Sequence, residues 1–135
     1  IQLEVFGSNN LKQIHMLGLT LENTKLSESG KIAYTYIPLE AMVQNNISPN
    51  ETKGFINNLL TIKGVEIAVL LRQDSKDKIK VSIRSKGNYP IYDLAEEYGG
   101  GGHKFAASFI SNMPPDTLFK RIIDKLEKLT VETLN

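Results

Sequence analysis

Residues 96–108 read EEYGGGGHKFAAS, with four consecutive glycines, Gly99–Gly102, running into His103. Glycine loses more backbone freedom on folding than any other residue, so such a run costs stability unless a bare backbone is used. A glycine-rich turn can aim several backbone N–H groups into one small volume and hold an anion there. His103 could donate to a phosphate oxygen or act as acid or base near neutrality. Arg84 ends the alternating segment KIKVSIRS (78–85), with Ser85 beside it. A guanidinium binds phosphate bidentately, and a hydroxyl adds a donor. The candidate anion-binding residues are therefore Arg84, Ser85, Gly100, Gly101, Gly102 and His103.

Each of these has a plainer reading. The glycines could form a long helix C-cap packed closely on a strand, although one glycine suffices for a cap. Arg84 could be a surface strand residue, and His103 a structural one. The run is neither the phosphate loop GxxxxGK[ST] nor a GxGxxG that opens a helix. It follows a helix, whose negative end faces it, so any anion would rely on the free N–H groups, His103 and nearby cations. Metal binding is not expected: the only other histidine is His15, and no His/Asp cluster has ligand spacing. No nucleophile–base pair shows recognisable spacing, so no catalytic residue is assigned to this chain.

The elements that must position these residues fit one domain of 135 residues. A helix with Ser8 or Asn9 as its N-cap carries Leu11, Ile14, Leu17 and Leu21 at helical spacing. GKIAYTYIP (30–38) reads as a strand, residues 39–46 as a short helix, and Ser48-Pro49-Asn50-Glu51 as the start of another. VEIAVLLRQ (65–73) is apolar enough for a strand covered on both faces. Residues 78–85 should pair with it as a hairpin, with Ile79, Val81 and Ile83 on one side and Lys78, Lys80, Ser82 and Arg84 on the other. Pro90 opens a helix that the glycines stop. AASFIS (106–111) is a strand, and Pro114-Pro115-Asp116 starts a final helix with an apolar stripe from Leu118 to Leu129. The expectation is an α/β fold: a small mixed sheet of about four strands, including a hairpin, with helices packed on its faces.

The formal charge of +1 excludes a broad polyanion-binding surface. Within residues 61–90, however, seven basic residues stand against three acidic ones, a local +4. That is either a solvated hairpin or a modest anionic site. The chain contains no cysteine, which removes disulfides and thiolate chemistry and fits a reducing compartment. No apolar run approaches a membrane span, and IQLEVFGSNN does not read as a signal peptide. The expected location is cytoplasmic. The abrupt start at Ile1, without Met, reads as a piece cut from a longer protein.

IRSKGNYPIYDLAEEYGGGGHKFAAS resembles the C-terminal, DHH-associated substrate-binding domain of DHH-family phosphoesterases. NETKGFINNLLTIKGVEIAVLLRQ resembles the helix and strand that precede it there. The similarity spans about residues 15–112 and is greatest to the oligoribonuclease and pAp-phosphatase type (pAp is adenosine 3′,5′-bisphosphate). It implies that Arg84 and Ser85 hold phosphate or nucleotide. Gly100–Gly102 would offer backbone N–H groups, and His103 would contact the phosphate. The partners it implies are a short nucleic acid or nucleotide phosphate and an N-terminal catalytic domain outside this chain, with no membrane involved and a homodimer left open. That catalytic domain would hold manganese; this chain, which lacks Asp-His-His, would bind no cofactor itself. Two other classes stay open: a non-catalytic nucleotide- or cyclic-dinucleotide-binding module, and a regulatory or dimerising domain whose glycine turn merely packs.

Overall fold

The computed structural model describes residues 9–134, with side chains to residue 131. Helix α1 spans Leu11–Glu22, and its N-cap is Asn10, one residue beyond Asn9, because Asn10 closes a capping box. Its Oδ1 accepts from the Gln13 N–H (2.9 Å), while Gln13 Oε1 accepts from the Asn10 N–H (2.8 Å). Ser8 lies outside the described residues. Two strands follow, β1 (Lys25–Leu26) and β2 (Ile32–Ile37), and then α2 (Leu39–Gln44). The helix expected from Pro49 is divided into a 3-10 turn (Pro49–Thr52) and α3 (Phe55–Leu59). Gly54, at φ +86°, separates them, since a left-handed residue cannot continue a right-handed helix. Strands β3 (Ile67–Ser75) and β4 (Lys78–Ser85) form the expected hairpin, followed by α4 (Tyr92–Glu97), β5 (Gly101–His103), β6 (Ala106–Ser111) and α5 (Pro115–Leu134).

The sheet is mixed, as expected, but has six strands in the order β1-β2-β3-β4-β6-β5. Among the described strands only β2 and β3 run parallel. The two additional strands are the short edge strands: β1 has two residues, and β5 is built largely of glycine, which has little intrinsic preference for extended structure.

A parallel pair needs a crossover connection. Residues 38–66 make that crossover and place α2, the 3-10 turn and α3 on one face of β2 and β3, beside α1. Met16, Met42, Phe55, Ile56 and Leu59 pack there against Ala33, Ile37, Ala68 and Leu70. The opposite face is covered by α4 and α5, whose Ala95, Leu118, Ile122 and Leu126 are fully buried against Val69, Val81, Ile83 and Ala107. Burying each such leucine or isoleucine stabilises by about 1.5–3 kcal/mol, which holds the long C-terminal helix on the sheet. Strand β3 lies in both cores, as its apolar run requires. The α4 connection and α5 both sit on the second face, so among the described residues no helix covers the first face over β6 and β5.

Candidate anion-binding site

That bare face is where the chemistry-bearing residues collect. Residues paired across an antiparallel ladder project to the same face. Arg84 is opposite Ala106, and Ala106 is opposite His103, so these three form one row across β4, β6 and β5. The next row is Ser82, Ser108 and Gly101, and a third pairs Lys80 with Ile110. Strand spacing sets the Cα atoms of Arg84 and His103 about 10 Å apart. The small Ala106 between them leaves a hollow of about 240 Å³. Lys80, Ser82, Arg84, Gly101, His103 and Ser108 are among its lining residues, and none of the described lining residues is acidic.

The four glycines have separate duties. Gly99 (φ +85°) and Gly100 complete a Schellman cap on α4: the Gly99 N–H donates to Glu96 O and the Gly100 N–H to Ala95 O, both at 2.9 Å. A Cβ on Gly100 would lie 2.0 Å from Ser108 O and 2.5 Å from Phe109 Cβ. A Cβ on Gly102 would lie 2.5 Å from Ala106 O, at a φ of +140° that itself favours glycine. Strand β6 is therefore what approaches the backbone at Gly100 and Gly102. Only Gly101 of the last three has no heavy atom within 4 Å of a would-be Cβ, and it lines the hollow. Gly102 lines it as well, whereas Gly100 lies behind it, against β6.

Arg84 and His103 share the hollow, and both are exposed. The Arg84 Nη1 donates to Asn57 Oδ1 on α3 at 3.0 Å, which fixes one corner of the guanidinium and leaves the other nitrogens for a ligand. Asn57 is a residue that sequence reasoning missed, since nothing in the sequence places α3 beside the end of β4. Ser85 does not join Arg84. It pairs with Ile67 on the other face, and its Oγ accepts from the Gly87 N–H (3.2 Å), which closes a turn. His103 ends β5 just before the tight turn at Lys104 and Phe105. Two bonds anchor that turn: the Ile91 N–H to Lys104 O (2.9 Å) and the Ser85 N–H to Phe105 O (2.8 Å). Arg72, at the far end of β3, is occupied locally: its Nε is 2.5 Å from Asp74 Oδ1, and its Nη1 donates to Pro49 O and Thr52 Oγ1.

A larger cleft of about 620 Å³ lies at the opposite edge of the sheet, between β2 and the start of α5. It mixes Lys25 with Asp116 and is walled by Tyr34, Tyr36 and Phe119. Burial raises the pKa of Tyr36, whose hydroxyl donates to Gln73 Oε1 (3.1 Å). None of the anion-binding candidates reaches this cleft, and its mixed charge does not select a phosphate.

The manganese implied by the resemblance does not fit the residues present. Among the described residues, no group of three or more His, Cys, Asp or Glu could hold a metal ion. No described helix is long and apolar enough to cross a membrane.

The sequence matches the family described as the DHHA1 domain over residues 29–132. It is 26% identical over 117 residues to a bifunctional oligoribonuclease and PAP phosphatase of Thermus thermophilus, a match covering 85% of this chain and 34% of that protein. An uncharacterised Mycoplasma genitalium protein is 37% identical over 92 residues, covering 67% of this chain and 27% of the other. The chain thus spans about a third or less of these curated relatives. Among solved structures, an exopolyphosphatase-related protein of Bacteroides fragilis superposes with a TM-score of 0.87 at 26% identity, over 98% of this chain and 39% of that one. A pGpG-specific phosphodiesterase from Vibrio cholerae shares the fold at a TM-score of 0.61 and 15% identity, over 87% of this chain and 40% of that one.

Proposed function

The chain belongs to the DHHA1 domain family, and from that premise we propose that it is the substrate-recognition domain, residues 1–135, of a longer cytoplasmic phosphoesterase. The substrates are short oligonucleotides or pAp. The observation that carries this reading is the row Arg84–Ala106–His103: two cationic or proton-bearing side chains face each other across an alanine, with a bare Gly101 beside them and no carboxylate among the described residues lining the hollow. A phosphate seated on Ala106 receives the free guanidinium N–H groups from one side and imidazole from the other. The Ser82 and Ser108 hydroxyls flank it.

This chain contributes binding and orientation. Fixing a phosphoester in one attitude can account for several kcal/mol of an enzymatic barrier. Manganese belongs, in this reading, to a catalytic domain outside the chain. The names of the relatives support a phosphoester substrate, because the Thermus protein is named as an oligoribonuclease and PAP phosphatase.

The test is a titration of the chain with pAp and with a 5′-phosphorylated dinucleotide, followed through the backbone amide resonances. The Gly101 and His103 amides are expected to shift, and Arg84→Ala and His103→Ala each to weaken binding about tenfold or more, as for loss of a charge-assisted contact. In the full-length protein the same substitutions should lower kcat/KM on both substrates. Unchanged kcat/KM in both variants removes the reading. A non-catalytic nucleotide-binding module is distinguished by micromolar affinity of the isolated chain with no loss of hydrolysis in the full-length variants.

A further inference from the structure

We propose that the larger cleft, at the β2 edge of the sheet, takes the C-terminal tail of a partner polypeptide as an added strand. The tail's free carboxylate lies beside Lys25, and its last side chain is apolar and packs against Tyr34, Tyr36 and Phe119. This site shares no lining residue with the Arg84–His103 hollow and stands whether or not that hollow binds phosphate. It begins with backbone groups that the fold leaves unpaired. Strand β2 runs to Ile37, but β1 pairs only with Ala33 and Tyr34. The Ser27 N–H donates to Ile32 O (2.8 Å) on this edge, and the Ile67 N–H to Lys31 O (3.1 Å) on the β3 edge. Successive residues of a strand aim their backbone groups at opposite edges, so Tyr36, like Ile32 and Tyr34, aims its N–H and C=O outward. Among the described residues neither group has a partner on that edge. An extended chain laid there is held by both, which is the pattern of strand addition to a sheet edge.

The surroundings decide the chemistry of that chain. Helix α5 runs antiparallel to β2: Glu127 accepts from Ser27 and Ser29, Phe119 meets Tyr34 (ring centroids 5.0 Å apart), and Asp116 lines the cleft with Tyr36 and Pro38. Lys25, opposite Tyr34, projects to this same face. The groove is thus aromatic in the middle, with a cation at one end and a carboxylate at the other. Neither Lys25 nor Asp116 has a hydrogen-bond or ion-pair partner among the described residues. An incoming strand cannot pass Lys25, because β1 occupies the edge from there on. The strand therefore ends or turns opposite Tyr36, and a terminal carboxylate is the ending that Lys25 favours; an amine is repelled. That polarity sets the added strand antiparallel to β2, in line with β1. Its last residue accepts from the Tyr36 N–H through the carboxylate and donates its own N–H to Tyr36 O. Its side chain shares the face of Tyr36 and enters the cleft, whose volume of about 620 Å³ admits a leucine or phenylalanine. Two residues earlier, about 7 Å back along the strand, a lysine or arginine meets Asp116.

The experiment titrates the isotopically labelled chain with the hexapeptide Gly-Ser-Gly-Lys-Ser-Leu in three forms: the free acid, the C-terminal amide, and the free acid N-methylated at leucine. The free acid is expected to shift the Lys25, Tyr36 and Asp116 amides and to leave Gly101 and His103 unmoved. The amide should bind about fivefold or more weakly, as for loss of a charge-assisted contact. N-methylation, which removes the donor to Tyr36 O, should cost a similar factor. Lys25→Ala should abolish the preference for the free acid over the amide. Asp116→Asn should abolish the preference for lysine over glutamate two residues before the end. Both side chains are exposed, and the peptide changes leave the protein untouched, so misfolding cannot imitate these results. Equal binding of the three peptides, or a Tyr36 amide unmoved by the free acid at millimolar concentration, overturns the proposal. So does a Tyr36 amide that shifts on dilution of the chain alone, which makes a second copy the occupant of the edge.

Discussion

One face of one sheet is used in two opposite ways. Over β2 and β3 it presents Ala33, Ile37, Ala68 and Leu70 to a helical layer. Over β4, β6 and β5 it presents Lys80, Ser82, Arg84, Ser108 and His103 to solvent. The border runs between directly paired residues: Leu70, 5% exposed, is opposite Ser82, and the fully buried Ala68 is opposite Arg84. The parallel pair β2–β3 needs a crossover, the crossover brings helices, and the antiparallel half has no such need. The binding face is the part of the sheet that the connections leave uncovered.

That comparison can be broken by substitution. Leu70→Ala, in the covered half, should destabilise by about 2–5 kcal/mol and leave ligand affinity in the surviving native fraction unchanged. Ser82→Ala, across the ladder from it, should fall within about 0.5 kcal/mol of wild type. Equal losses in a urea titration would show that the two halves are not distinct.

The glycine run offers a sharper test at closer range. Gly100→Ala forces a Cβ into Ser108 O and should cost about 1–3 kcal/mol or more, because backbone must shift. Gly101→Ala meets nothing and should be close to neutral in stability while weakening pAp binding. Affinity lost at Gly101 without stability, and stability lost at Gly100, separates the packing duty from the ligand duty within two adjacent residues.

Asn57→Ala frees the Arg84 guanidinium from its anchor on α3. Affinity for pAp should fall about threefold, less than in Arg84→Ala, with the stability change below about 1 kcal/mol. A loss as large as that of Arg84→Ala would mean that Asn57 itself touches the ligand.

The smallest effect lies in the covered half. The Ser48 N–H, and then Asn10, hold the Glu51 carboxyl below its ordinary pKa. A depressed folded pKa contributes stability that is present above the ordinary carboxylate value and lost as pH falls through the folded one. Glu51→Gln should therefore flatten slightly the fall of the urea midpoint between pH 5 and the acid limb, and leave the neutral-pH affinity for pAp unaltered.

Much of this fold was legible from pattern alone. The alternation of 78–85, the unbroken apolar run before it, and the stripe from Leu118 to Leu126 each record a local period that burial imposes, so their elements lie close to where the pattern puts them. The break at Gly54 was not legible, because one glycine between two helical patterns is also tolerated within a helix. Strand β5 was not legible either: its residues have no strand preference, and only pairing with β6 makes them extended.

For the site, the sequence by itself determined the chemistry available. It supplied one arginine and two lysines on the polar side of a strand, a histidine after a glycine run, and no cysteine or carboxylate cluster. Only the tertiary structure decided which of these meet. It set β6 between β4 and β5, so that Arg84 and His103 share a row, turned Ser85 to the opposite side, and committed Gly100 to packing. Side-chain direction along a strand follows from the local period of two. Strand order follows instead from how the connections cross the sheet, which depends on contacts far apart in the chain.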